Sequence, residues 1–246
     1  MSFMDPTYGH STCGVHVGRL QAPVSAKRGW GKALRAFALA GLSAILGLAG
    51  LTPFSAAAIA RPLLIVALGD SLTAGLGLPA EESFPAALEK ALRAKGYDVK
   101  IVNAGVSGDT AADGLARFEW AVPDDTDAVI VELGANDMLR GLDPAATKKS
   151  LEEILGKLKA RHIAVLLAGM RAAPNMGLDY QARFDAIYAD LAREYGARLY
   201  PFFLDGVAAD PKLNQKDGMH PTKEGVAVIV SKILPAVEAL VGEAKR

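Results

Sequence analysis

Two residues far apart in this sequence, Ser71 and His220, have the chemistry of a nucleophile and its base. A serine hydroxyl attacks poorly near neutral pH unless an adjacent base accepts its proton. An imidazole suits that task because histidine changes its protonation state near neutral pH. Asp217, three positions before His220, could hold the ring in the required tautomer and favour the imidazolium as it forms. This combination of residue types predicts acyl transfer through a serine nucleophile.

The same chemistry needs hydrogen-bond donors aimed at the oxygen of a tetrahedral intermediate. Gly108 is a candidate through its backbone N–H group, because a glycine lets the chain approach closely and the following segment begins a predicted helix. The side-chain amide of Asn136 could supply a second donor, and the N–H group of Ser71 a third. Loss of one such donor typically costs a factor of about 10²–10³ in rate.

Each of these residues alone also has a purely structural interpretation. A serine such as Ser71, after a strand-ending glycine, is a common helix N-cap. Asp217 with His220 could be a capping carboxylate beside a surface histidine. His162 precedes a predicted strand, at its amino end, and we interpret it as structural. The occurrence of suitable residues in four separate polar segments favours the chemical interpretation.

Other patterns in the sequence give less support to a metal or a phosphate site. Asp70 and Asp109 could bind Mg²⁺ together, but we interpret them, and Asp137, as caps of backbone donors in their turns. No G-x-S-x-G, H-E-x-x-H or Walker A pattern occurs. Elbow-type α/β-hydrolases, zinc proteases and P-loop enzymes therefore lack support.

The elements that must position these residues are short apolar runs that alternate with stretches of helical spacing. Runs without polar alternation indicate strands buried on both faces, and their alternation with helices indicates a parallel sheet covered on both sides. We expect an α/β fold, a three-layer α/β/α sandwich with five parallel strands. The predicted strands are 63–68, 99–102, 128–133, 163–168 and 198–203, and the predicted helices are 84–95, 111–120, 144–160, 180–195 and 223–243.

The polar segments follow the predicted strands at the point where each strand ends. In such folds the site lies at the carboxyl ends of the strands. Residues 69–72 (GDSL), 103–110 (NAGVSGDT) and 134–137 (GAND) follow the first three strands, and 217–221 (DGMHP) precedes the last helix. We expect these four segments to converge on one edge of the sheet.

Composition excludes several classes of protein. The 27 Lys and Arg residues balance 27 Asp and Glu residues, which argues against a nucleic-acid binder with a broad basic surface. With 51% hydrophobic and 22% charged residues, the chain is not largely disordered. Cys13 is the single cysteine, so a disulfide framework within one chain and a zinc site built on cysteines are excluded.

Residues 1–60 have the three parts of a secretory signal peptide. Basic residues from Lys27 to Arg35 precede an uncharged apolar stretch, 36–51, and a run of small residues ends at Ala60. We expect cleavage after Ala60, with Ala57 or Ala58 as alternative positions. An uncleaved membrane anchor is the alternative to cleavage, because residues 36–60 could span a bilayer of about 30 Å. The predicted domains are this leader and a body at 61–246, located in the periplasm or secreted.

The body resembles the GDSL, or SGNH, hydrolases, and more narrowly the bacterial exported acyl-CoA thioesterase I, lysophospholipase L1 and arylesterase group. The matching blocks are G-D-S-L at 69–72, S-G-D-T at 107–110, G-A-N-D at 134–137 and D-G-M-H-P at 217–221. The resemblance covers most of residues 63–240, and four blocks in the family's order are a specific signal. It implies a flavodoxin-like sheet, no metal and no cofactor.

By the roles that the resemblance implies, Ser71 is the nucleophile and Asp217 and His220 complete the triad. Gly108 and Asn136, with the Ser71 N–H group, form the oxyanion hole. Residues 171–178 (RAAPNMGL) are similar to the loop that shapes the family's acyl groove, so Arg171, Pro174 and Asn175 are candidate substrate-binding residues.

These observations predict an exported serine esterase that cleaves carboxylic esters and thioesters of acyl chains through an acyl-enzyme. We expect a monomer with small-molecule acyl ester or thioester substrates, transient contact with membrane lipid and no nucleic-acid partner. The alternatives are a carbohydrate O-deacetylase on the same scaffold, a non-catalytic flavodoxin-like module such as a phosphate-responsive receiver, and a periplasmic ligand-binding protein.

Overall fold

A computed structural model of the chain describes residues 61–244. The predicted leader and its cleavage point therefore lie outside the described residues. The described residues begin with Arg61, whose guanidinium group donates to both carboxylate oxygens of Asp127.

Five parallel strands form one sheet in the order β2-β1-β3-β4-β5. This is the strand order of flavodoxin-like folds, in which β1 and β3 flank the switch point where connections leave to opposite faces. The predicted five-stranded parallel sheet is confirmed. Its strands are β1 (Leu63–Gly69), β2 (Val99–Gly105), β3 (Ala128–Glu132), β4 (Ala164–Ala168) and β5 (Arg198–Tyr200).

Helices cover both faces of the sheet, which confirms the three-layer sandwich. The second and eighth helices pack together on one face, and the third, sixth and seventh pack on the other. The helices are α1 (Ser71–Ala74), α2 (Phe84–Ala94), α3 (Ala111–Ala116), α4 (Phe118–Ala121), α5 (Ala135–Leu139), α6 (Pro144–Ala160), α7 (Leu178–Tyr195) and α8 (Lys223–Ala244), and short 3₁₀ turns span Ala80–Glu82 and Pro174–Met176.

The central strands are apolar because both of their faces are covered. Ile65, Val66 and Leu68 of β1 and Val129 and Ile130 of β3 are almost completely inaccessible to solvent. The edge strands β2 and β5 are only partly buried, in keeping with their more polar sequences.

Helix α8 closes the core on the α2 side. By length and composition it could also cross a membrane, yet one of its faces packs in the same core as the strands. The residues of that face include Val226, Ile229, Ile233, Val237 and Leu240. Its apolar character thus reflects burial within the sandwich.

Two predicted strand bounds were wrong by three residues, for identifiable reasons, whereas β1, β3 and β4 each differ from their predicted bounds by one residue. Strand β5 ends at Tyr200 because Pro201 has no N–H group to donate to the ladder. Strand β2 runs on to Gly105 because residues Asn103 to Gly105 pair with the end of β1. The polar segment after β2 therefore starts within the sheet, and its loop begins only at Val106.

The helix predicted over 111–120 is two short helices separated at Arg117, where φ is −101° and ψ is 6°. The Arg117 side chain is buried, and it donates to a carboxylate oxygen of Asp109 and to the carbonyl oxygen of Gly69. These hydrogen bonds stabilise the bend, and the helical spacing of the sequence does not reveal them.

Gly105 lets α1 approach the end of β2, and this packing predicts the effect of a single methyl group. A Cβ atom at Gly105 would lie 2.3 Å from the backbone nitrogen of Ala74 and 2.8 Å from the carbonyl oxygen of Asp70. We expect Gly105→Ala to lower the free energy of unfolding by about 1–3 kcal/mol, because overpacking forces the backbone to shift.

The matched control is Gly242→Ala in α8, where a Cβ atom would have no neighbour within 4 Å. That change should raise the free energy of unfolding by about 0.5–1 kcal/mol, because alanine favours helix. Urea unfolding followed by circular dichroism measures both. Equal midpoints for the two variants would contradict this account of the packing.

Candidate active site

Ser71, His220 and Asp217 form a continuous chain of hydrogen bonds at the carboxyl edge of the sheet. Ser71 Oγ lies 2.9 Å from His220 Nε2, and His220 Nδ1 lies 2.8 Å from Asp217 Oδ2. An ionised carboxylate only accepts, so Nδ1 carries the proton and the neutral ring accepts from the serine hydroxyl at Nε2. The structure thus brings together the three residues that the sequence predicted as a group.

Ser71 is placed by the junction of β1 with α1. Asp70 caps α1 through its Oδ1 atom, which accepts from the N–H group of Leu72 at 2.9 Å. Ser71 is therefore the first helical residue, where its own N–H group has no partner within the helix. Only 8% of Ser71 is exposed, at the floor of a cleft.

The turn from Asp217 to His220 is stabilised by Asp217 itself. Asp217 Oδ1 accepts from the N–H groups of Met219 at 2.9 Å and His220 at 3.0 Å. These backbone hydrogen bonds, with that from the His220 ring, lower the pKa of Asp217 to about 2. The carboxylate is therefore charged wherever the protein is folded near neutral pH, although it is exposed to solvent.

Gln215 joins the histidine turn to the segment that follows α1. Its side-chain amide donates to the carbonyl oxygens of Leu76 at 2.7 Å and Pro221 at 3.0 Å. Its backbone N–H group donates to the carbonyl oxygen of His220 at 2.7 Å. Sequence reasoning missed this residue, because no local pattern marks a glutamine whose partners are distant along the chain.

The backbone of Gly108 lines the same cleft as Ser71. Its φ of +91° favours glycine, and Arg140 donates to its carbonyl oxygen at 2.6 Å. Among residues 61–244 the structure gives no acceptor for the N–H group of Gly108 or of Ser71. A Cβ atom would have room at Gly108, so the backbone conformation, not the close approach predicted from the sequence, explains this glycine.

The Asn136 side chain reaches the cleft from α5, directly after β3. Its Nδ2 atom donates to Asp70 Oδ2 at 3.0 Å and to the carbonyl oxygen of Asp109 at 2.9 Å. Because both partners are acceptors, the amide is oriented with its nitrogen, not its oxygen, toward Asp70 and Asp109. Both N–H groups are engaged, so donation to a third acceptor would be a shared hydrogen bond.

Three aspartates that we interpreted as caps have different partners. Asp70 caps α1, and Asp137 accepts from the N–H group of Ala111 at the start of α3, at 2.8 Å. Asp109 does not cap a turn; its carboxylate pairs with Arg117 at 2.5 Å. Sequence spacing could not reveal this ion pair, because it depends on the bend at Arg117.

Glu132 is a buried charged residue that sequence reasoning passed over. It is the last residue of β3, is fully buried, and accepts from the hydroxyl group of Thr73 at 2.8 Å. Burial, and then the nearby Asp70 carboxylate, raise the pKa of Glu132 well above its usual value. A single charged residue inside the apolar run AVIVEL was the signal that could have identified it.

An apolar cleft of about 490 Å³ opens beside Ser71. Arg171 and Pro174, two of the candidate substrate-binding residues, line it, and the Arg171 guanidinium lies 5.2 Å from the centre of the Phe202 ring. Asn175 is exposed and is not among the lining residues. The apolar side chains around the cleft include Leu76, Met138, Leu139, Met170, Phe202, Leu204 and Met219.

His162, which we interpreted as structural, lies far from this cluster. His162 lies at the amino end of β4, at the sheet edge opposite Ser71. Within the described part of the chain, no group of three or more His, Cys, Asp or Glu residues could hold a metal ion.

Comparison with known proteins places this geometry in a family. The model of the GDSL-like lipase/acylhydrolase family matches residues 67–228. Esterase TesA of Pseudomonas aeruginosa is 38% identical over 200 residues, which are 81% of this chain and 97% of that protein. Thioesterase 1/protease 1/lysophospholipase L1 of Escherichia coli K12 is 40% identical over 186 residues, 75% of this chain and 87% of that protein.

A solved structure agrees in fold. The crystal structure of AlinE4, an esterase of the SGNH-hydrolase family, superposes with a TM-score of 0.63 at 51% identity and covers 74% of this chain and 97% of that chain. With a family match over more than half of its length and the serine, histidine and asparagine side chains gathered at one sheet edge, this chain belongs to the GDSL-like lipase/acylhydrolase family, and it hydrolyses ester bonds.

Proposed function

We propose that the protein hydrolyses carboxylic esters and thioesters of acyl chains through a triad of Ser71, His220 and Asp217. The observation that carries this proposal is the contact of 2.9 Å between Ser71 Oγ and His220 Nε2, continued by that of 2.8 Å to Asp217. A hydroxyl group becomes an effective nucleophile when a base accepts its proton as it attacks. The family membership agrees with an ester-bond hydrolase and argues against a non-catalytic module.

In the first half of the reaction, Ser71 Oγ attacks the acyl carbonyl carbon and His220 Nε2 takes the hydroxyl proton. The negative charge of Asp217 stabilises the resulting imidazolium. As the tetrahedral intermediate collapses, the bond to the alcohol or thiol breaks and His220 returns its proton to that leaving group. Water then attacks the acyl carbonyl carbon while His220 Nε2 takes its proton. As the bond between that carbon and Ser71 Oγ breaks, His220 returns the proton to Oγ and the carboxylic acid leaves.

The oxygen of each tetrahedral intermediate needs donors that are already in place. The N–H groups of Ser71 and Gly108 are available at the cleft, and the Asn136 amide supplies the third donor. Asn136 then shares a hydrogen that it gives to Asp70 or Asp109 in the resting enzyme. Together these donors form the oxyanion hole.

The acyl group of the substrate occupies the apolar cleft beside Ser71. Burial of each methylene group is worth about 0.8 kcal/mol, so an apolar lining favours acyl chains over sugars. Arg171 and Pro174 border the cleft, whereas Asn175 is less suited to contact the substrate. The names of relatives, an esterase and a thioesterase/lysophospholipase, support ester and thioester substrates over carbohydrate O-acetyl groups.

We also propose that the protein works outside the cytoplasm, in the periplasm or as a secreted monomer that contacts membrane lipid transiently. The support for export is the basic and then apolar sequence of residues 27–60, which ends in small residues typical of signal-peptide cleavage. An exported enzyme would meet esters of lipids more readily than acyl-CoA.

Replacement of Ser71 tests the proposed nucleophile. We expect Ser71→Ala to lower kcat on p-nitrophenyl esters by roughly 10⁴- to 10⁶-fold, because no other group takes over the covalent step. Ser150→Ala, a serine on α6 away from the cleft, is the matched control and should retain wild-type turnover. Assays with esters of graded chain length compare the proteins, and equal turnover by Ser71→Ala and wild type would reject the nucleophile.

The pH dependence tests the proposed base. The pKa of Asp217 is about 2, so this carboxylate stays charged from pH 5 to 8, whereas burial raises the pKa of Asp70 to about 6, inside that range. We expect kcat/KM to fall as the pH decreases from 8 to 5, because a protonated imidazole cannot accept the Ser71 proton. Initial rates on one ester across this range measure the effect, and a flat profile would contradict a histidine base.

A further inference from the structure

Glu132 and Asp70 form a pair of buried carboxyl groups directly behind Ser71. In the register of β1 with β3, Glu132 lies opposite Gly69, so its side chain lies beside Asp70. Both residues are 0% exposed to solvent. Burial raises the pKa of Asp70, and hydrogen bonding with the Glu132 carboxyl group opposes that rise. No step of the proposed reaction uses Glu132.

Two carboxylates this close, and removed from water, cannot both carry a charge, so the pair holds a proton. Burial raises the pKa of Asp70, and burial with the Asp70 charge raises the pKa of Glu132 further. One proton on the pair leaves a single negative charge beneath the cleft.

The hydrogen bonds around the pair indicate which carboxyl group holds that proton. Both oxygens of Asp70 accept: Oδ1 from the N–H group of Leu72 and Oδ2 from Asn136. Glu132 Oε2 accepts from the Thr73 hydroxyl group, and Oε1 is buried and makes no hydrogen bond within the described residues. The nearby backbone N–H groups of Asp70 and Thr73 only partly offset the rise that burial causes in the pKa of Glu132. A protonated Oε1 that donates to Asp70 satisfies every group, whereas a charged Glu132 would leave this oxygen unpaired.

We propose that Glu132 is a positioning residue, whose protonated carboxyl group donates to Asp70 and keeps that carboxylate in place to orient the Asn136 amide. The charged Asp70 accepts only, and so does the carbonyl oxygen of Asp109. The amide nitrogen of Asn136, not its oxygen, therefore lies toward these two acceptors, from where it can share a hydrogen with the oxyanion. This role rests on the proposed function of Asn136 as an oxyanion donor.

The consequence concerns the transition state more than the bound substrate. If Asp70 lost its donor and rotated, or became a donor itself, the Asn136 amide could turn its oxygen toward the developing negative charge. An oxyanion donor acts where charge develops, so its misplacement lowers kcat and leaves KM nearly unchanged.

Substitutions at both carboxyl groups identify the one that carries the proton. Glu132→Gln keeps a donor toward Asp70 and an acceptor for Thr73, and should retain kcat within about threefold. Asp70→Asn introduces a donor where only acceptors fit, and should lower kcat roughly 10- to 100-fold at unchanged KM, part of the cost of an oxyanion donor. Glu132→Met, which removes the donor at similar side-chain length, should lower kcat by a similar factor.

A double-mutant cycle distinguishes positioning from a general loss of structure. Glu132→Met should cost about tenfold or more in kcat with Asn136 present and less than twofold in an Asn136→Ala background. Thermal unfolding checks that each variant is folded; if Glu132→Met is not, the comparison of Glu132→Gln with Asp70→Asn decides the question alone.

Three outcomes would overturn the proposal. The first is an equal loss for Glu132→Met in both backgrounds, and the second is a Glu132→Gln enzyme as impaired as Asp70→Asn. The third is wild-type kcat in Asn136→Ala, which would remove the oxyanion role of Asn136. In that third case, an inactive Ser71→Ala would still support the serine hydrolase mechanism, so the two failures are distinguishable.

Discussion

The contact between Ser71 Oγ and His220 Nε2 joins residues 149 positions apart in the chain. Parallel strands make it feasible, because their carboxyl ends meet at one edge of the sheet and carry the loops that follow them. Ser71 follows β1, and His220 reaches it from the turn before α8, tied to the Leu76 carbonyl by Gln215. The rest of the fold serves to keep these two side chains within hydrogen-bonding distance.

A network of buried polar side chains lies beneath the contact between Ser71 and His220 and fixes the loops that carry these residues. Asp70 caps α1, accepts from Asn136 and adjoins Glu132, so one carboxylate connects the nucleophile's helix to an oxyanion donor. Arg117 adds a second connection, from the Gly69 carbonyl to Asp109. Buried polar groups are costly unless they are paired, so a network of this kind fixes one arrangement of the loops.

The sequence predicted the sheet, its covering helices and the group of Ser71, His220 and Asp217, because these follow from apolar runs and from the residues at strand ends. It could not predict the bend at Arg117, since that residue donates to the carbonyl oxygen of the distant Gly69, or the ion pair of Asp109, which depends on the bend. Glu132 was visible as a charge within an apolar run, but its role needs the register of β3 against β1.

The most direct measurement of the central claim is the covalent modification of the protein by a fluorophosphonate, a mimic of the acyl-transfer transition state. Mass spectrometry of peptides should find a single adduct on Ser71, formed at a rate that falls steeply in His220→Ala. This result would place an activated hydroxyl group next to its base in solution. An adduct on another residue, or the same rate of modification without the His220 imidazole, would contradict the account.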